Sequence, residues 1–411
     1  MRQGVLALVA LLALPAAADW PQWGGPGRDF QVAAKGIAAS WPAEGPRVLW
    51  RRELGEGYSA ITVVAGRLFT MTRRGEDEVV VALDAASGRT LWESADPAPF
   101  PPSYDMSHGP GPHAAPLVVD GRVFTAGATG RLRVHDAETG RLLWRRDLIS
   151  EMGGTPRVNG YAASPVAWRD LVIATVGGPG HAVVAFGQAD GDVVWSRHDF
   201  ANSPSSPLLI EVGGRAQLVA FLYGEVVGLD PASGDLLWSY AHATDFGLNV
   251  STPVFGEDGL LFLSSAYGGG SRGLRLASGP TGTAVSQLWE TTRLRLHFGN
   301  AVRIGPVIYA SSGDFGPAPF VALDVATGRI LWRDRRFARA SSLALSDGRL
   351  LLLDEDGVLA LATPGAEGLS VQARVQVLSN PAWTVPTLDG TTLYLRDRKV
   401  ILAMELGEPQ R

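Results

Sequence analysis

Five copies of one short pattern are spaced along most of this 411-residue chain. In each copy an acidic or small residue is followed four positions later by Gly, and four positions later again by Trp. The copies are Asp84-Gly88-Trp92, Asp136-Gly140-Trp144, Gly187-Gly191-Trp195, Asp230-Gly234-Trp238 and Asp324-Gly328-Trp332. Apolar runs flank each copy, which predicts strand, turn, strand. A unit of this kind that recurs about every 45 residues is typical of a β-propeller.

The residues of the pattern suit a tight turn between two strands. The carboxylate of Asp84 can accept backbone N–H groups across the turn. Gly88 supplies a positive φ, which lets the ladder restart after a bulge. Trp92 lies in the outgoing strand and is large enough to pack between neighbouring blades. We therefore interpret the repeated Asp, Gly and Trp residues as structural and not catalytic.

Each copy belongs to a set of four predicted strands, which in the first blade are residues 59–64, 67–72, 79–84 and 90–94. The fifth set is irregular because Gly282 and Trp289 are seven residues apart, and the seventh, residues 341–374, has no Trp. Residues 384–406 supply only three strands. The strand around Trp50, residues 47–52, has no blade before it and is predicted to complete the last one. The prediction is an all-β, eight-bladed propeller whose closed ring leaves no exposed edge.

The N-terminus has the composition of a signal peptide. Arg2 is followed by the apolar run Val5 to Leu14 and by the small residues Ala16 to Ala18. We expect residues 1–18 to be the signal peptide, residues 19–45 an N-terminal strap across the ring, and residues 46–411 the propeller. No later segment is long and apolar enough to be transmembrane. The expected product is exported, periplasmic or secreted, soluble, not lipid-anchored and monomeric.

Charge and cysteine content exclude several functions. The formal net charge is −5, and no basic run carries interleaved aromatic residues, which argues against nucleic-acid binding. The chain has no Cys. Disulfides, thiolate metal sites, covalently attached c-type haem and cysteine-linked lipid are therefore excluded.

The repeat resembles the PQQ-type propeller repeat, in which Ala-x-Asp-x-x-Thr/Ser-Gly precedes Trp. The segments from Ala82 to Trp92 and from Ala322 to Trp332 fit this signature, and the resemblance covers about residues 46–406. The lead-in from Trp20 to Pro26 is similar to that of large exported bacterial proteins of this class. The resemblance implies one of two activities. Quinoprotein dehydrogenases hold pyrroloquinoline quinone and calcium over the centre of the ring, whereas BamB-like proteins hold no cofactor and present the ring as a docking surface in the periplasm.

Departures from the dehydrogenase pattern favour the second activity. The chain lacks the paired Cys residues of the alcohol dehydrogenases, a haem-bearing segment and long insertions between blades. It also lacks the acylated Cys of BamB itself. The favoured hypothesis is a non-catalytic binding or assembly module with a protein or peptide partner and no cofactor. A dehydrogenase that uses pyrroloquinoline quinone and calcium is the alternative, and a polysaccharide or lipid binder is a third possibility.

Propeller geometry places the Asp-Gly turns on one face and the connections between blades on the other, where ligands usually bind. The candidate binding residues on that second face are Tyr58, Tyr104, His108, His113, Tyr161, Asn249, His297, Trp383 and Arg396.

Two kinds of site are conceivable there. The ten-residue loop from Tyr104 to His113 contains two His and an Asp, and with His297 these residues could bind a metal or hydrogen-bond to neighbouring loops. A quinone would need cations for its three carboxylates and an aromatic platform. The candidates are Arg73, Arg157, Arg295, Arg339 and Arg396, with Trp383 and Tyr58 as the platform.

Overall fold

The computed structural model describes residues 19–33, 35–279, 282–314, 316–379 and 381–408. The predicted signal peptide lies outside these residues. Within them, 33 strands form eight sheets, each with four antiparallel strands, and one sheet carries a fifth strand that pairs in parallel. The predicted eight-bladed propeller is therefore confirmed.

The strand bounds follow the repeat. Two strands precede the first blade: β1 (Gln31–Val32) and β2 (Arg47–Glu53). Blade 1 contains β3 (Thr62–Val64), β4 (Arg67–Arg74), β5 (Asp77–Asp84) and β6 (Thr90–Pro97). Blade 2 contains β7 (Leu117–Val119), β8 (Arg122–Ala126), β9 (Arg131–Asp136) and β10 (Leu142–Asp147). Blade 3 contains β11 (Val166–Trp168), β12 (Leu171–Thr175), β13 (Val183–Gly187) and β14 (Val193–Arg197). Blade 4 contains β15 (Leu208–Val212), β16 (Arg215–Leu222), β17 (Glu225–Leu229) and β18 (Leu236–Ala241).

The second half of the ring has the same order. Blade 5 contains β19 (Val254–Phe255), β20 (Leu260–Ser265), β21 (Gly270–Gly279) and β22 (Gly282–Thr291). Blade 6 contains β23 (Val302–Ile304), β24 (Val307–Ser311), β25 (Pro319–Asp324) and β26 (Ile330–Ala338). Blade 7 contains β27 (Ser341–Leu345), β28 (Leu350–Leu353), β29 (Val358–Pro364) and β30 (Leu369–Gln376). Blade 8 contains β31 (Thr387–Asp389), β32 (Thr392–Arg396) and β33 (Val400–Glu405), with β2 as its fourth strand.

The ring closes through β2, as predicted. This strand pairs antiparallel with β33, and Trp50 lies opposite Ala403. The indole Nε1 of Trp50 donates to the carbonyl of Ala85 in blade 1, 2.9 Å away. The two ends of the propeller are thus joined within one sheet, and the first blade packs on the completed last one.

Most of the repeated Trp residues hydrogen-bond to the following blade. Trp92 donates to the carbonyl of Ala137, Trp144 to that of Gln188 and Trp195 to that of Pro231, all at 3.0–3.2 Å and all in the turn of the following blade. In blade 5 the irregular spacing does not disturb this contact, because Trp289 still donates to the carbonyl of Val325. Trp238 differs, since it donates to Gln217 of its own blade.

Residues 19–33 lie inside the channel and contact the inner strands of several blades. Trp20 forms an antiparallel bridge with Val63 of blade 1. The amide of Val118 in blade 2 donates to the carbonyl of Pro21. Strand β1 pairs in parallel with β27, the inner strand of blade 7. Residues 19–33 form the first part of the predicted strap, residues 19–45, and we use the name strap below for residues 19–33 alone.

In the described part of the chain, no helix has the length and apolar character needed to cross a membrane.

Candidate functional site

A cavity of about 580 Å³ occupies the centre of the ring on the face of the inter-blade connections. Loops from around the ring supply its wall, and Trp23 of the strap also lines it. We call this cavity the funnel. Its aromatic and charged lining residues are Trp23, Tyr58, Asp105, His108, His113, Arg157, Tyr223, Asp245, Phe246, Tyr267, Phe298 and Trp383.

One side of the funnel is a continuous aromatic surface. The ring centroids of Tyr58 and Trp383 are 5.2 Å apart, and those of Trp383 and Phe298 are 4.8 Å apart. His108 packs edge-on against Phe298 at 5.4 Å, and His113 stacks on Tyr58 at 6.0 Å. These five residues, which we call the aromatic platform, can bind planar or apolar groups by stacking and contact.

Backbone hydrogen bonds between loops position the platform. The amide of Tyr58 donates to the carbonyl of Pro112, 2.9 Å away, and Thr384 Oγ1 donates to the carbonyl of Tyr58, 3.0 Å away. Gly109 has φ of +102° and lies so close to the Tyr58 ring that a β-carbon there would be 3.1 Å from it. Burial lowers the pKa of His113 to about 4, so this ring is neutral at pH 7.

The opposite side of the funnel has an exposed apolar rim. Phe246 is 57% exposed and Tyr223 is 43% exposed. The guanidinium of Arg157 lies 4.9 Å from the Tyr223 ring centroid and donates to the carbonyl of Phe246, 2.6 Å away. Large exposed apolar side chains beside a cavity are typical of a surface that binds a partner.

Four of the nine candidate residues line the funnel: Tyr58, His108, His113 and Trp383. Three others, Tyr161, Asn249 and Arg396, are buried and donate hydrogen bonds to backbone carbonyls. The hydroxyl of Tyr161 donates to the carbonyl of Val176, and burial raises the pKa of this phenol. The Nδ2 of Asn249 donates to the carbonyl of Leu222. Arg396 donates to the backbone carbonyls of residues 57, 59 and 71, and burial lowers its pKa to about 10.

His297 and Tyr104 also lie outside the lining. His297 stacks behind Phe298, with a centroid distance of 3.6 Å, and its Nε2 is hydrogen-bonded to the hydroxyl of Tyr267. Burial lowers the pKa of His297 to about 4. The ring of Tyr104 packs on Phe100. These two residues support the loops around the funnel.

The funnel residues that the sequence reasoning missed come mainly from the hairpins in the middle of blades 4 and 5. Tyr223 follows β16, and Tyr267 follows β20, and each is followed by Gly. An aromatic residue before Gly in a hairpin on the ligand-binding face was a signal available in the sequence. Phe298 and Phe246 lie beside or near the predicted candidates His297 and Asn249, and it is these phenylalanine rings that line the funnel.

The arrangement of charges does not fit pyrroloquinoline quinone with calcium. Of the funnel-lining residues in the described ranges, Arg157 is the one arginine, and there is no lysine. The other four candidate arginines are already engaged: Arg73 with Glu78, Arg295 with Asp314, Arg339 with Glu355, and Arg396 with backbone carbonyls. One cation does not match three carboxylates. Among the described residues, no group of three or more His, Cys, Asp or Glu is placed to hold a metal ion.

Comparison with known proteins reveals clear relatives. A family model described as outer membrane protein assembly factor BamB matches residues 25–104 and 76–334. A protein of that name from Yersinia pestis is 25% identical over 278 residues, which are 64% of this chain and 66% of that protein. Its counterpart from Burkholderia pseudomallei is 26% identical over 293 residues, covering 69% of this chain and 71% of that protein.

Solved structures share the fold. BamB from Moraxella catarrhalis superposes with a TM-score of 0.63 at 15% identity and covers 88% of this chain and 99% of its own. A quinohemoprotein alcohol dehydrogenase from Pseudomonas putida superposes with a TM-score of 0.62 at 13% identity, covering 96% of this chain and 81% of its own. Because both classes superpose equally well, fold alone does not distinguish a binding protein from an enzyme.

Proposed function

Because the chain belongs to the family described as outer membrane protein assembly factor BamB, we propose that it is a non-catalytic periplasmic module that binds a protein segment in the funnel. The observation that carries this proposal is the aromatic platform, in which three further rings, those of His108, His113 and Phe298, pack with Trp383 and Tyr58 within the funnel. Such a surface binds side chains by contact and stacking and needs no cofactor.

The shape of the funnel suits an extended segment of protein. Apolar rings stand on two sides, at the platform and at the rim formed by Tyr223 and Phe246. An extended chain points successive side chains in opposite directions, so it can place one apolar side chain against each wall. Asp105, Asp245 and Arg157 lie among the lining residues and can hydrogen-bond the segment's backbone or polar side chains.

A binding experiment with an unfolded outer-membrane β-barrel protein tests this function. The probe is a fluorescently labelled porin diluted from urea, and its anisotropy is followed as the mature protein is added. We expect saturable binding by the wild type and at least tenfold weaker binding by the double variant Phe298→Ala, Trp383→Ala. Trp168→Ala is the control, since Trp168 ends β11 at the opposite face, next to Arg169.

Two outcomes would contradict the proposal: absence of saturable binding by the wild type, or equal affinities of the wild type and the platform variant. Circular dichroism of the variants establishes that they are folded. Titration of the wild type with pyrroloquinoline quinone and calcium tests the alternative. Saturable binding in the micromolar range would favour a dehydrogenase over a binding module.

Location is tested separately. The full chain is expressed with its first 18 residues, and the periplasmic fraction is examined by immunoblot and N-terminal sequencing. The proposal expects a periplasmic protein that begins at Asp19. Retention of the intact chain in the cytoplasm would overturn the periplasmic assignment while leaving the binding function open to the anisotropy experiment.

A further inference from the structure

The strap places a buried guanidinium in the channel, and no carboxylate of the described residues pairs with it. Arg28 is 3% exposed. Its Nη1 donates to Gln22 Oε1, 3.0 Å away, and to the carbonyl of Pro165, 3.4 Å away. Its Nε and Nη2 have no hydrogen-bond partner among the described residues, and no acidic group of those residues lies within ion-pair distance. A buried charge of this kind is costly unless an anion or polar groups compensate it.

A row of hydroxyl groups lies in the same part of the channel. In blades 3, 4 and 5 a hydroxyl residue and a proline directly precede the inner strand: Ser164-Pro165, Ser206-Pro207 and Thr252-Pro253. Each hydroxyl stands two residues before its inner strand, so the three occupy equivalent places in neighbouring blades. All three line the funnel, and Arg28 bonds to the carbonyl directly after Ser164.

These hydroxyl groups have hydrogens available for a ligand. Ser164 Oγ accepts from the amide of Ala115, and Ser206 Oγ accepts from the amide of Ser164, both at 2.9 Å. Thr252 Oγ1 accepts from the indole of Trp23, 2.8 Å away. None of the three donates to an acceptor within the described ranges. A hydroxyl that accepts one bond still has its own hydrogen to donate.

We propose that an oxyanion, a carboxylate or a phosphate group, binds in the channel where the strap meets blades 3 to 5, between Arg28 and the hydroxyls of Ser164, Ser206 and Thr252. A guanidinium presents several N–H donors in one plane, which matches a group with several oxygens better than a halide. Burial lowers the pKa of Arg28 to about 9, so the side chain remains a cation at pH 7. Anion binding at this site does not depend on a protein partner.

Isothermal titration calorimetry of the mature protein tests the site at pH 7 and fixed ionic strength. The probes are inorganic phosphate, acetate and the neutral acetamide. We expect saturable binding of phosphate or acetate and none of acetamide. Preference for phosphate identifies a phosphate-bearing ligand, whereas preference for acetate identifies a carboxylate. The proposal is overturned if the wild type binds neither anion.

Variants tie the binding to these residues. Arg28→Met keeps most of the bulk of the side chain without its charge and should weaken anion binding at least tenfold. Arg28→Lys keeps the charge and should retain part of the affinity. Ser206→Ala should weaken binding about threefold. Ser205→Ala is its matched control, since the neighbouring Ser205 hydroxyl already donates to the carbonyl of Ser251. If Arg28→Met does not fold, the Ser206 and Ser205 variants decide, and equal affinity of these two would refute the site.

Discussion

The indole of Trp92 lies directly over Gly140 of the following blade. A β-carbon built on Gly140 would stand 2.5 Å from Trp92 Cδ2, closer than van der Waals contact permits. Gly140 also has φ of +72°. The same relationship recurs between Trp50 and Gly88, Trp144 and Gly191, Trp195 and Gly234, and Trp289 and Gly328. The repeated Gly thus has two roles: it adopts the positive φ that its own turn requires, and its lack of a β-carbon leaves room for the Trp of the previous blade.

Gly140→Ala is expected to destabilise the protein by about 3 kcal/mol, because it combines a strained backbone with overpacking against Trp92. Gly121→Ala is the matched control in the same blade. Gly121 has nearly the same φ, +70°, but no atom lies within 4 Å of a β-carbon placed there. It should cost about 1 kcal/mol. Urea denaturation measures the free energy of unfolding of both variants. Equal losses in the two variants would show that the contact with Trp92 does not contribute to the cost of Gly140→Ala.

This double use of Gly explains why the fold was predictable from the sequence. Each Asp-Gly-Trp copy specifies a turn and an inter-blade contact within nine consecutive residues. The number of blades could therefore be predicted from the sequence without any interatomic distance. The irregular fifth blade was also predicted, because Trp289 retains its place in the outgoing strand.

The candidate site was less predictable, because a loop position does not specify where its side chain points. Tyr58 and Trp383 line the funnel, whereas Tyr161 and Arg396, from the same face, point into the protein and bond backbone carbonyls. The sequence does not indicate a role for Arg28, because its burial depends on the path of the strap through the channel. Such contacts join residues far apart in sequence and leave no local pattern.

The buried ion pair between Arg73 and Glu78 should contribute far more to the free energy of unfolding than the more exposed pair between Arg74 and Glu93. Glu78 Oε1 lies 3.3 Å from Arg73 Nη2 and accepts from the amide of Ala128, and both side chains of the pair are at most 4% exposed. Glu78→Gln leaves a buried guanidinium without its anion, which typically costs about 3–5 kcal/mol. The control Glu93→Gln breaks the more exposed pair with Arg74 and should cost about 1 kcal/mol or less. Equal free energies of unfolding for these variants would contradict this.

Acid should destabilise the fold through buried histidines. Burial lowers the pKa of His135 from 6.5 to about 4 and that of His242 to about 3. Between pH 6.5 and 4 the unfolded chain therefore binds protons that the folded protein does not bind, so stability falls as the pH falls through this window. Each histidine contributes about 1.4 kcal/mol per pH unit at most.

Denaturation curves at several pH values between 7 and 4 measure this effect. The variant His135→Gln removes one of the four histidines whose pKa burial lowers, and it should show a shallower loss of stability with acid than the wild type. Identical slopes for the two proteins would exclude His135 as a source of the acid sensitivity.

Hydrogen exchange measures whether the hydrogen bonds at the two ends of the strap open together or separately. The amides of Val63 and Val118 donate to the carbonyls of Trp20 and Pro21, and the amide of Ala344 donates to that of Phe30 at the other end of the strap. Trp20 is buried, so Trp20→Ala removes much of the packing that keeps these bonds closed. We expect faster exchange at all three amides, while the ladder between β4 and β5 remains protected. Faster exchange at Val63 and Val118 alone would show that the two ends of the strap open separately, and unchanged exchange at all three would show that Trp20 does not anchor it.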